Sequence, residues 1–252
     1  MSFINIQGID LHYEVYGDSG RPVVLLHGWG QNTEMMAFIG EYLKSHFIVY
    51  NLDFPGFGQS KEPPEPWGSE DYCEFLRAFL TEMKAEDPIF IAHSFGCRVA
   101  LQYAYRYKVH RMVLTGAAGI RDKRGIEYYA KVYSYKLGKK ILSLKPFEKY
   151  RDSLSKNAGS EDYKNASGVM RGTLVKVVNE DLTDILPYIN VETLLVFGEY
   201  DEMTPVEKGK QMEKLMPDAA LVIFEKDDHF AYINEAARFN LVLDAFLRRD
   251  YQ

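Results

Sequence analysis

The chain has 252 residues, 46% of them hydrophobic and 26% charged, a balance that is typical of a folded domain and excludes a disordered or fibrous protein. Its 30 basic and 36 acidic residues give a net charge of −6, which argues against a nucleic-acid partner. The apolar runs are far shorter than the roughly 18 residues that cross a bilayer, so we expect no membrane span.

The first residues and the cysteines bear on the cellular compartment. Residues 1–5 lack the basic and apolar segments of a secretory signal. Only two cysteines occur, Cys73 and Cys97, which is too few for a disulfide framework. We therefore predict a cytoplasmic protein in which both cysteines are core residues. The sequence leaves its oligomeric state open.

Short apolar segments that end in a glycine-rich or polar turn recur along the chain. An alternating pattern over residues 3–16 predicts a hairpin at the edge of a sheet. Buried strands are predicted at residues 23–26, 47–52, 89–92, 111–115, 193–197 and 220–224. Helices are predicted at residues 33–44, after the turn at residues 93–96 as far as about residue 107, and from about 235 to 248. Apolar strands that alternate with helices indicate an α/β fold with a mostly parallel, doubly wound sheet. Ligands bind such sheets beyond the carboxyl ends of the strands.

Residues 120–188 interrupt this alternation with a helical pattern alone. They carry 14 basic and 9 acidic residues, whereas the rest of the chain has a net charge of −11. We predict a core of residues 1–119 and 189–252 and a helical cap of residues 120–188. Tyrosines are frequent there, namely Tyr128, Tyr129, Tyr133, Tyr135, Tyr150 and Tyr163. They suit the roof of a pocket for a small or medium-sized substrate, or they only pack the cap onto the core.

The segment Ala92-His93-Ser94-Phe95-Gly96 lies between a predicted strand and a predicted helix. A serine acts as a nucleophile when a tight turn with small neighbours holds its hydroxyl away from the backbone. Ala92 occupies the first small position, where glycine is usual. We therefore predict Ser94 as a nucleophile. A helix-capping serine is the alternative.

A serine nucleophile needs a base, and the base needs an acid that orients it. Only two histidines follow Ser94, and His110 precedes a strand, at the wrong edge of the sheet. His229 follows the strand ending at residue 224 and is the predicted base. Asp201, in the turn after the strand at residues 193–197, is the predicted acid. Glu199, Asp122, Asp227 and Asp228 are the alternatives.

The tetrahedral intermediate of acyl transfer needs two N–H donors for its oxyanion. One predicted donor is the N–H of Phe95, directly after the nucleophile. The other is the N–H of Trp29, which has a glycine on each side. We expect His27, in the same loop, to be structural.

Together these motifs resemble the α/β-hydrolase superfamily over nearly the whole chain. They are residues 27–30, 53–60, 92–96, 197–201 and 228–230. The resemblance implies an eight-stranded hydrolase fold with the catalytic triad argued above and a variable cap over residues 120–188. It names no substrate, since the superfamily includes esterases, C–C bond hydrolases, lyases and a few non-enzymatic receptors.

Two further residues are candidate substrate contacts. A branch of the superfamily that eliminates pyruvate has an arginine at the position of Arg98, and there it meets a substrate carboxylate. The alternative is that Arg98 ties its helix to the sheet or the cap. His93 either shapes the pocket or packs beside the turn. We predict a serine hydrolase for a carboxylic ester, without metal or organic cofactor. A C–C bond hydrolase or a pyruvate-eliminating lyase is the second reading.

Overall fold

A sheet of eight strands forms the centre of the described part of the chain. The computed structural model describes residues 2–121, 161–166 and 168–251. The strands run in the order β1-β2-β4-β3-β5-β6-β7-β8, with antiparallel pairing of β1 with β2 and of β2 with β4, and parallel pairing elsewhere. They are β1 (Ser2–Ile6), β2 (Ile9–Tyr16), β3 (Arg21–Leu26), β4 (Phe47–Leu52), β5 (Ile89–His93), β6 (Arg111–Thr115), β7 (Glu192–Gly198) and β8 (Ala219–Phe224). The predicted fold class and edge hairpin are confirmed.

Helices pack on both faces of the sheet. They are α1 (Ala37–Leu43), α2 (Ser69–Glu82), α3 (Phe95–Arg106), α4 (Glu161–Asn165), α5 (Gly168–Asn179), α6 (Val206–Leu215), α7 (Ala231–Asn234) and α8 (Ala236–Leu247). The helix predicted at residues 33–44 is divided, because a 3₁₀ turn at Thr33–Met35 comes before α1. The Asn32 side chain accepts the Glu34 N–H and thereby caps that turn. None of the described helices is long and apolar enough to cross a bilayer.

The two faces of the sheet have separate apolar cores. Within β5, Phe90 and Ala92 belong to one core, and Ile89 and Ile91 belong to the other. Because neighbouring residues of a strand point to opposite faces, a strand covered on both sides has to be apolar throughout. This explains the continuous apolar runs of the sequence. Cys73 and Cys97 are buried, as predicted.

The segment that follows β6 and the segment that leads into β7 are hydrogen-bonded to each other. The Leu182 N–H donates to the Gly119 carbonyl at 2.9 Å, and the Arg121 guanidinium donates to the Asn179 carbonyl at 3.0 Å. Between these points the described residues form α4 and α5, and a 3₁₀ segment, Thr183–Tyr188, follows. Residues 122–160, with Tyr128, Tyr129, Tyr133, Tyr135 and Tyr150, lie outside the described residues. The cap therefore stays a prediction.

Asp53, directly after β4, ties three segments together at the carboxyl edge of the sheet. Its Oδ1 accepts the Thr33 N–H at 2.6 Å, and its Oδ2 accepts the Gln59 N–H and pairs with His12 Nδ1, each at 2.8 Å. Both His12 and Asp53 are almost fully buried. Buried charge is tolerated only where hydrogen bonds compensate it, so this carboxylate fixes the loops that follow β3 and β4.

We expect Asp53→Asn to destabilise the protein by about 3 kcal/mol. An amide accepts hydrogen bonds on one side only, so at least one of the three donors would face an NH2 group. Asp10→Asn is the matched control, because the exposed Asp10 accepts only the exposed Asn5 amide, and we expect a change within about 0.5 kcal/mol. Urea unfolding of the two variants measures both changes. Equal losses would contradict the assigned role of Asp53.

Candidate active site

Ser94 lies in a tight turn between β5 and α3. Its φ is +48° and its ψ is −106°, a left-handed conformation that residues other than glycine rarely adopt. Two backbone hydrogen bonds hold the turn: the Ser94 N–H donates to the Thr115 carbonyl at 3.0 Å, and the Ser94 carbonyl accepts the Ala118 N–H at 3.4 Å. The side chain is half-buried at the carboxyl edge of the sheet. The sequence analysis predicted such a tight turn at Ser94, between a strand and a helix.

The residues on either side of Ser94 explain why the turn needs small side chains. A methyl group on Gly96 would lie 2.2 Å from the Leu26 carbonyl oxygen, so α3 can begin against β3 only with glycine there. Ala92 is fully buried in one of the two apolar cores. Its methyl group is accommodated at the position where glycine is usual.

His229 and Asp201 form a buried hydrogen-bonded pair. His229 Nδ1 lies 2.7 Å from Asp201 Oδ2, and both residues are 5% exposed or less. Asp201 Oδ1 also accepts the N–H groups of Met203, at 2.9 Å, and Thr204, at 2.7 Å. The structure thus joins the predicted base to the predicted acid and leaves His229 Nε2 as the ring atom that can exchange a proton.

Thr204 belongs to this unit, although the sequence analysis missed it. Its hydroxyl donates to Asp201 Oδ2 at 2.7 Å and lies 3.2 Å from His229 Nδ1. Burial by itself raises the pKa of the Asp201 carboxyl, but the hydrogen bonds from His229 and Thr204 outweigh it and hold that pKa below its ordinary value. The acid is therefore ionised at neutral pH and holds the His229 ring in one orientation.

The other acidic candidates have different partners. Glu199 accepts the Lys226 N–H at 2.9 Å. Asp227 and Asp228 both accept the side-chain amide of Asn234, at 2.7 and 2.9 Å. Asp122 lies outside the described residues. Of the acids that the structure describes, Asp201 is the one hydrogen-bonded to His229.

The loop that carries His229 lies against the strand ends next to Ser94. A methyl group on Gly116, directly after β6, would be 2.9 Å from His229 Nδ1. The ring of His93, directly before Ser94, is 4.7 Å from the His229 ring between centroids. His110 instead binds Asp250 through Nε2 at 2.7 Å, away from this edge. The fold therefore places the His229–Asp201 pair next to the strand ends that carry the Ser94 turn, and the catalytic triad stays a prediction.

The loop after β3 is held by His27, as expected. His27 Nδ1 lies 2.7 Å from the Gly28 carbonyl, so this nitrogen carries the proton, and Nε2 accepts the Phe54 N–H at 2.9 Å. Burial lowers the pKa of His27 to about 4, so the ring is neutral at physiological pH. His27 thus shapes the loop as a neutral hydrogen-bonding group.

Trp29 and Phe95 lie side by side at this loop. Their rings meet edge to face with centroids 5.6 Å apart, and Phe57 packs on Trp29 at 4.9 Å. Within the part of the chain that the structure describes, neither the Trp29 nor the Phe95 N–H donates to a protein group. Both N–H groups are free to bind an oxyanion, and that role stays a prediction.

Arg98 points from α3 to the segment where the chain returns to the core. Its Nη1 donates to the Glu180 carbonyl at 3.2 Å, and the residue is 9% exposed. Burial lowers the pKa of the guanidinium. This placement matches an arginine that ties its helix to the inserted segment. His93 is fully buried beside Ser94. For both residues a direct substrate contact stays a prediction.

The described residues contain no group of three or more histidine, cysteine, aspartate or glutamate side chains arranged to hold a metal ion.

Comparison with known proteins identifies relatives along almost the entire chain. A family model described as "alpha/beta hydrolase fold" matches residues 21–236. The pimeloyl-[acyl-carrier protein] methyl ester esterase of Vibrio vulnificus is 24% identical, over 91% of this chain and 95% of that protein. Two solved structures share the fold. An esterase from Exiguobacterium antarcticum has a TM-score of 0.76 and 24% identity over 98% of this chain and 99% of its own. A meta-cleavage product hydrolase from Pseudomonas fluorescens has a TM-score of 0.75 and 22% identity over 99% and 98%.

We expect Thr204→Val to raise the pKa of Asp201, because one hydrogen bond to the carboxylate is lost. A lowered carboxyl pKa adds stability above the unfolded-state pKa of about 3.9, and this stability is lost as the pH falls through the folded-state pKa. The variant should therefore be less stable than the wild type at pH 7, and the deficit should shrink below about pH 4. Unfolding measured between pH 3 and pH 7 tests this.

The matched control is Thr183→Val. The Thr183 hydroxyl also donates to an aspartate, Asp181 Oδ1, at 2.6 Å, but that pair is exposed. We expect a smaller loss of stability there, because water replaces the lost donor. A Thr204 variant with unchanged stability across the pH range would contradict the assigned hydrogen bond.

Proposed function

The chain belongs to the alpha/beta hydrolase fold family, and we propose that it is a serine hydrolase that cleaves a small or medium-sized carboxylic ester through an acyl-enzyme. One observation carries this proposal. His229 is hydrogen-bonded to the buried Asp201 at 2.7 Å, on a loop that packs against the strand ends beside the strained Ser94. Acyl transfer by serine requires a serine nucleophile, a histidine base and an acid that orients the histidine, and these three residues match those types.

In the proposed reaction, Ser94 Oγ attacks the carbonyl carbon of the ester while His229 Nε2 accepts the hydroxyl proton. The N–H groups of Trp29 and Phe95 bind the negative oxygen of the tetrahedral intermediate. The carbon–oxygen bond to the alcohol then breaks, and His229 returns the proton to the leaving oxygen. A water molecule repeats both steps on the acyl-enzyme and releases the carboxylic acid. Ionised Asp201 stabilises the imidazolium of His229 in both halves.

Two features support an ester with a small leaving group as the substrate. The rings of Trp29, Phe57 and Phe95 pack edge to face or tilted against one another, so the aromatic wall beside the proposed oxyanion donors is tightly filled. A relative of similar length is named as an esterase of a methyl ester. Such an ester has a small leaving group, which fits a restricted site. The tyrosine-rich segment outside the described residues is the proposed roof.

The second candidate reaction is C–C bond hydrolysis or pyruvate elimination from a carboxylated substrate. The fold likeness to a meta-cleavage product hydrolase keeps this reading open. It requires a cation in the cleft that binds a substrate carboxylate, and Arg98 is the candidate. The Arg98 guanidinium donates to the Glu180 carbonyl, which favours the ester reading.

A fluorophosphonate probe should label the protein at Ser94, and Ser94→Ala should abolish labelling. We expect this variant to lower kcat for p-nitrophenyl acetate on the order of 10⁴-fold or more, because triad residues act as one unit. Ser19→Ala is the control, since Ser19 is exposed and far along the chain from the turn. Labelling that survives Ser94→Ala would contradict the assignment of the nucleophile.

A chain-length series of p-nitrophenyl esters separates the two reactions. Fast turnover of short esters supports the esterase. Labelling at Ser94 with negligible ester turnover supports the C–C hydrolase or lyase, and the absence of both labelling and turnover would contradict an enzymatic function at this site.

Arg98→Gln should lower stability by about 1–3 kcal/mol, because it leaves the partly buried Glu180 carbonyl without its Arg98 donor. It should leave the ratio of kcat/KM values for a neutral and an acidic ester, such as p-nitrophenyl butyrate and p-nitrophenyl hemisuccinate, unchanged. Arg121→Gln is the matched control, since the more exposed Arg121 donates to the Asn179 carbonyl one residue earlier. A selective loss for the acidic ester of more than about tenfold, or 1.4 kcal/mol, would instead assign Arg98 to a substrate carboxylate.

A further inference from the structure

Three buried polar atoms lie on one face of the sheet next to the candidate active site. They are His93 Nε2, Thr115 Oγ1 and Tyr232 Oη, and each is without a hydrogen-bond partner among the described residues. All three side chains are fully buried. A buried polar atom without a partner destabilises a fold, and native proteins pair such atoms with internal water that makes two to four hydrogen bonds. This cluster is therefore a polar site within an apolar core.

The geometry of the fold brings the three side chains together. His93 and Thr115 are register partners on the parallel strands β5 and β6, so their side chains point to the same face. The Tyr232 ring packs on the His93 ring with centroids 4.6 Å apart. The Tyr232 hydroxyl can donate a hydrogen bond, and a neutral imidazole nitrogen can accept one.

The hydrogen bonds of His93 fix which nitrogen is the acceptor. His93 Nδ1 lies 3.2 Å from the Thr115 carbonyl, so Nδ1 carries the proton and Nε2 has a lone pair. Burial lowers the pKa of His93 to about 3, and the proximity of His229 contributes to the same shift. His93 is consequently neutral at neutral pH.

The His93 ring touches each part of the candidate site. A methyl group on Gly28, in the loop of the proposed oxyanion donor Trp29, would lie 2.8 Å from His93 Cδ2. The ring of the base, His229, is 4.7 Å away. The Thr115 carbonyl that holds His93 also accepts the Ser94 N–H. A displacement of this ring would therefore disturb nucleophile, base and oxyanion loop together.

We propose that His93 is a positioning residue and that its Nε2 and the Tyr232 hydroxyl together bind one internal water molecule beneath the site. Tyr232 lies three residues after His229 and is the second residue of α7. The water, by accepting from Tyr232 Oη and donating to His93 Nε2, fixes the loop of the base to the strand of the nucleophile. The Thr115 hydroxyl is available as its third partner. The catalytic part of this role rests on the function proposed above.

The test is a double-mutant cycle on Tyr232→Phe and His93→Asn. Phenylalanine removes only the hydroxyl, and asparagine keeps a donor near the Nδ1 position but has no atom at the Nε2 position. We expect each variant to lower the unfolding temperature and to reduce kcat about tenfold with KM unchanged. We expect the double variant to be no worse than the more affected single variant, because both changes remove the same bridge. His93→Gln, whose amide reaches the Nε2 position, should recover part of the turnover.

Tyr72→Phe is the matched control. Tyr72 is equally buried, but its hydroxyl donates to the Pro55 carbonyl at 2.9 Å, so its effect on stability should add to that of His93→Asn. A Tyr232→Phe variant that is as stable as the wild type or more stable would overturn the proposal, because that is the result for a hydroxyl without a partner. Full additivity of Tyr232→Phe and His93→Asn would overturn it as well.

The two proposals can fail separately. The stability measurements of the double-mutant cycle need no substrate, so they test the buried water site even if the fluorophosphonate does not label Ser94. If Ser94 is labelled and the cycle is non-additive but kcat is unchanged, the water site stands and the positioning role is wrong. If His93→Asn does not fold, the stability and turnover of Tyr232→Phe alone still test the proposal. Electron density for a water molecule between the two side chains in a high-resolution crystal structure is an independent test.

Discussion

The turn at Ser94 is the constraint on which the arrangement of the site depends. A parallel strand can pass into a helix this abruptly only if the residue at the bend takes a left-handed conformation and the helix starts in contact with a neighbouring strand. Gly96 makes that contact possible, since a methyl group there would collide with the Leu26 carbonyl. The same bend leaves Ser94 half-buried at the carboxyl edge, places Phe95 beside Trp29 of the loop after β3 and buries His93. One backbone conformation thus fixes three groups.

Around this turn, the other parts of the site are held by hydrogen bonds to buried carboxylates. Asp201 interacts with four donors, two from the backbone, one from Thr204 and one from His229, and Asp53 interacts with three. A carboxylate in apolar surroundings is stable only when both of its oxygens accept hydrogen bonds. Each aspartate therefore orders the loop around it. His229 and the loop after β3 are thus held in place by the fold itself. For the proposed acyl transfer, this is the source of electrostatic preorganisation.

Much of this could be predicted from the sequence, and the reasons are physical. Strands such as β5 were found because burial on both faces requires an unbroken apolar run. Ser94, Asp201 and His229 were predicted because each follows a predicted strand and the carboxyl ends of parallel strands share one edge. The structure pairs Asp201 with His229, and the catalytic roles stay predictions. Thr204 was not found, because its role depends on how the turn after Asp201 folds back, and a threonine in a polar loop carries no pattern.

His12 is a second case of this kind. It is one polar residue in the alternating pattern of β2, and its ring is hydrogen-bonded to Asp53, 41 positions later in the chain. The 3₁₀ turn before α1 was also missed, because backbone N–H groups that donate to the Asn32 and Asp53 side chains, and not helical periodicity, decide where that helix starts. Periodicity reports burial, whereas these features depend on single long-range hydrogen bonds.

The hydrogen bond between Gly119 and Leu182 also bears on how such a protein can evolve. The core closes at that point, so the sheet keeps its register whatever length of chain lies between. The entropy of closing a loop grows only with the logarithm of its length, about 0.6 kcal/mol for each doubling. Insertions and deletions within residues 122–160 thus cost the core little, whereas α5 is constrained because Met170, Leu174 and Val177 pack in the core. Selection can therefore change one segment of the chain freely while the strand ends and their loops stay as they are, and lineages that share this core can differ most in that segment.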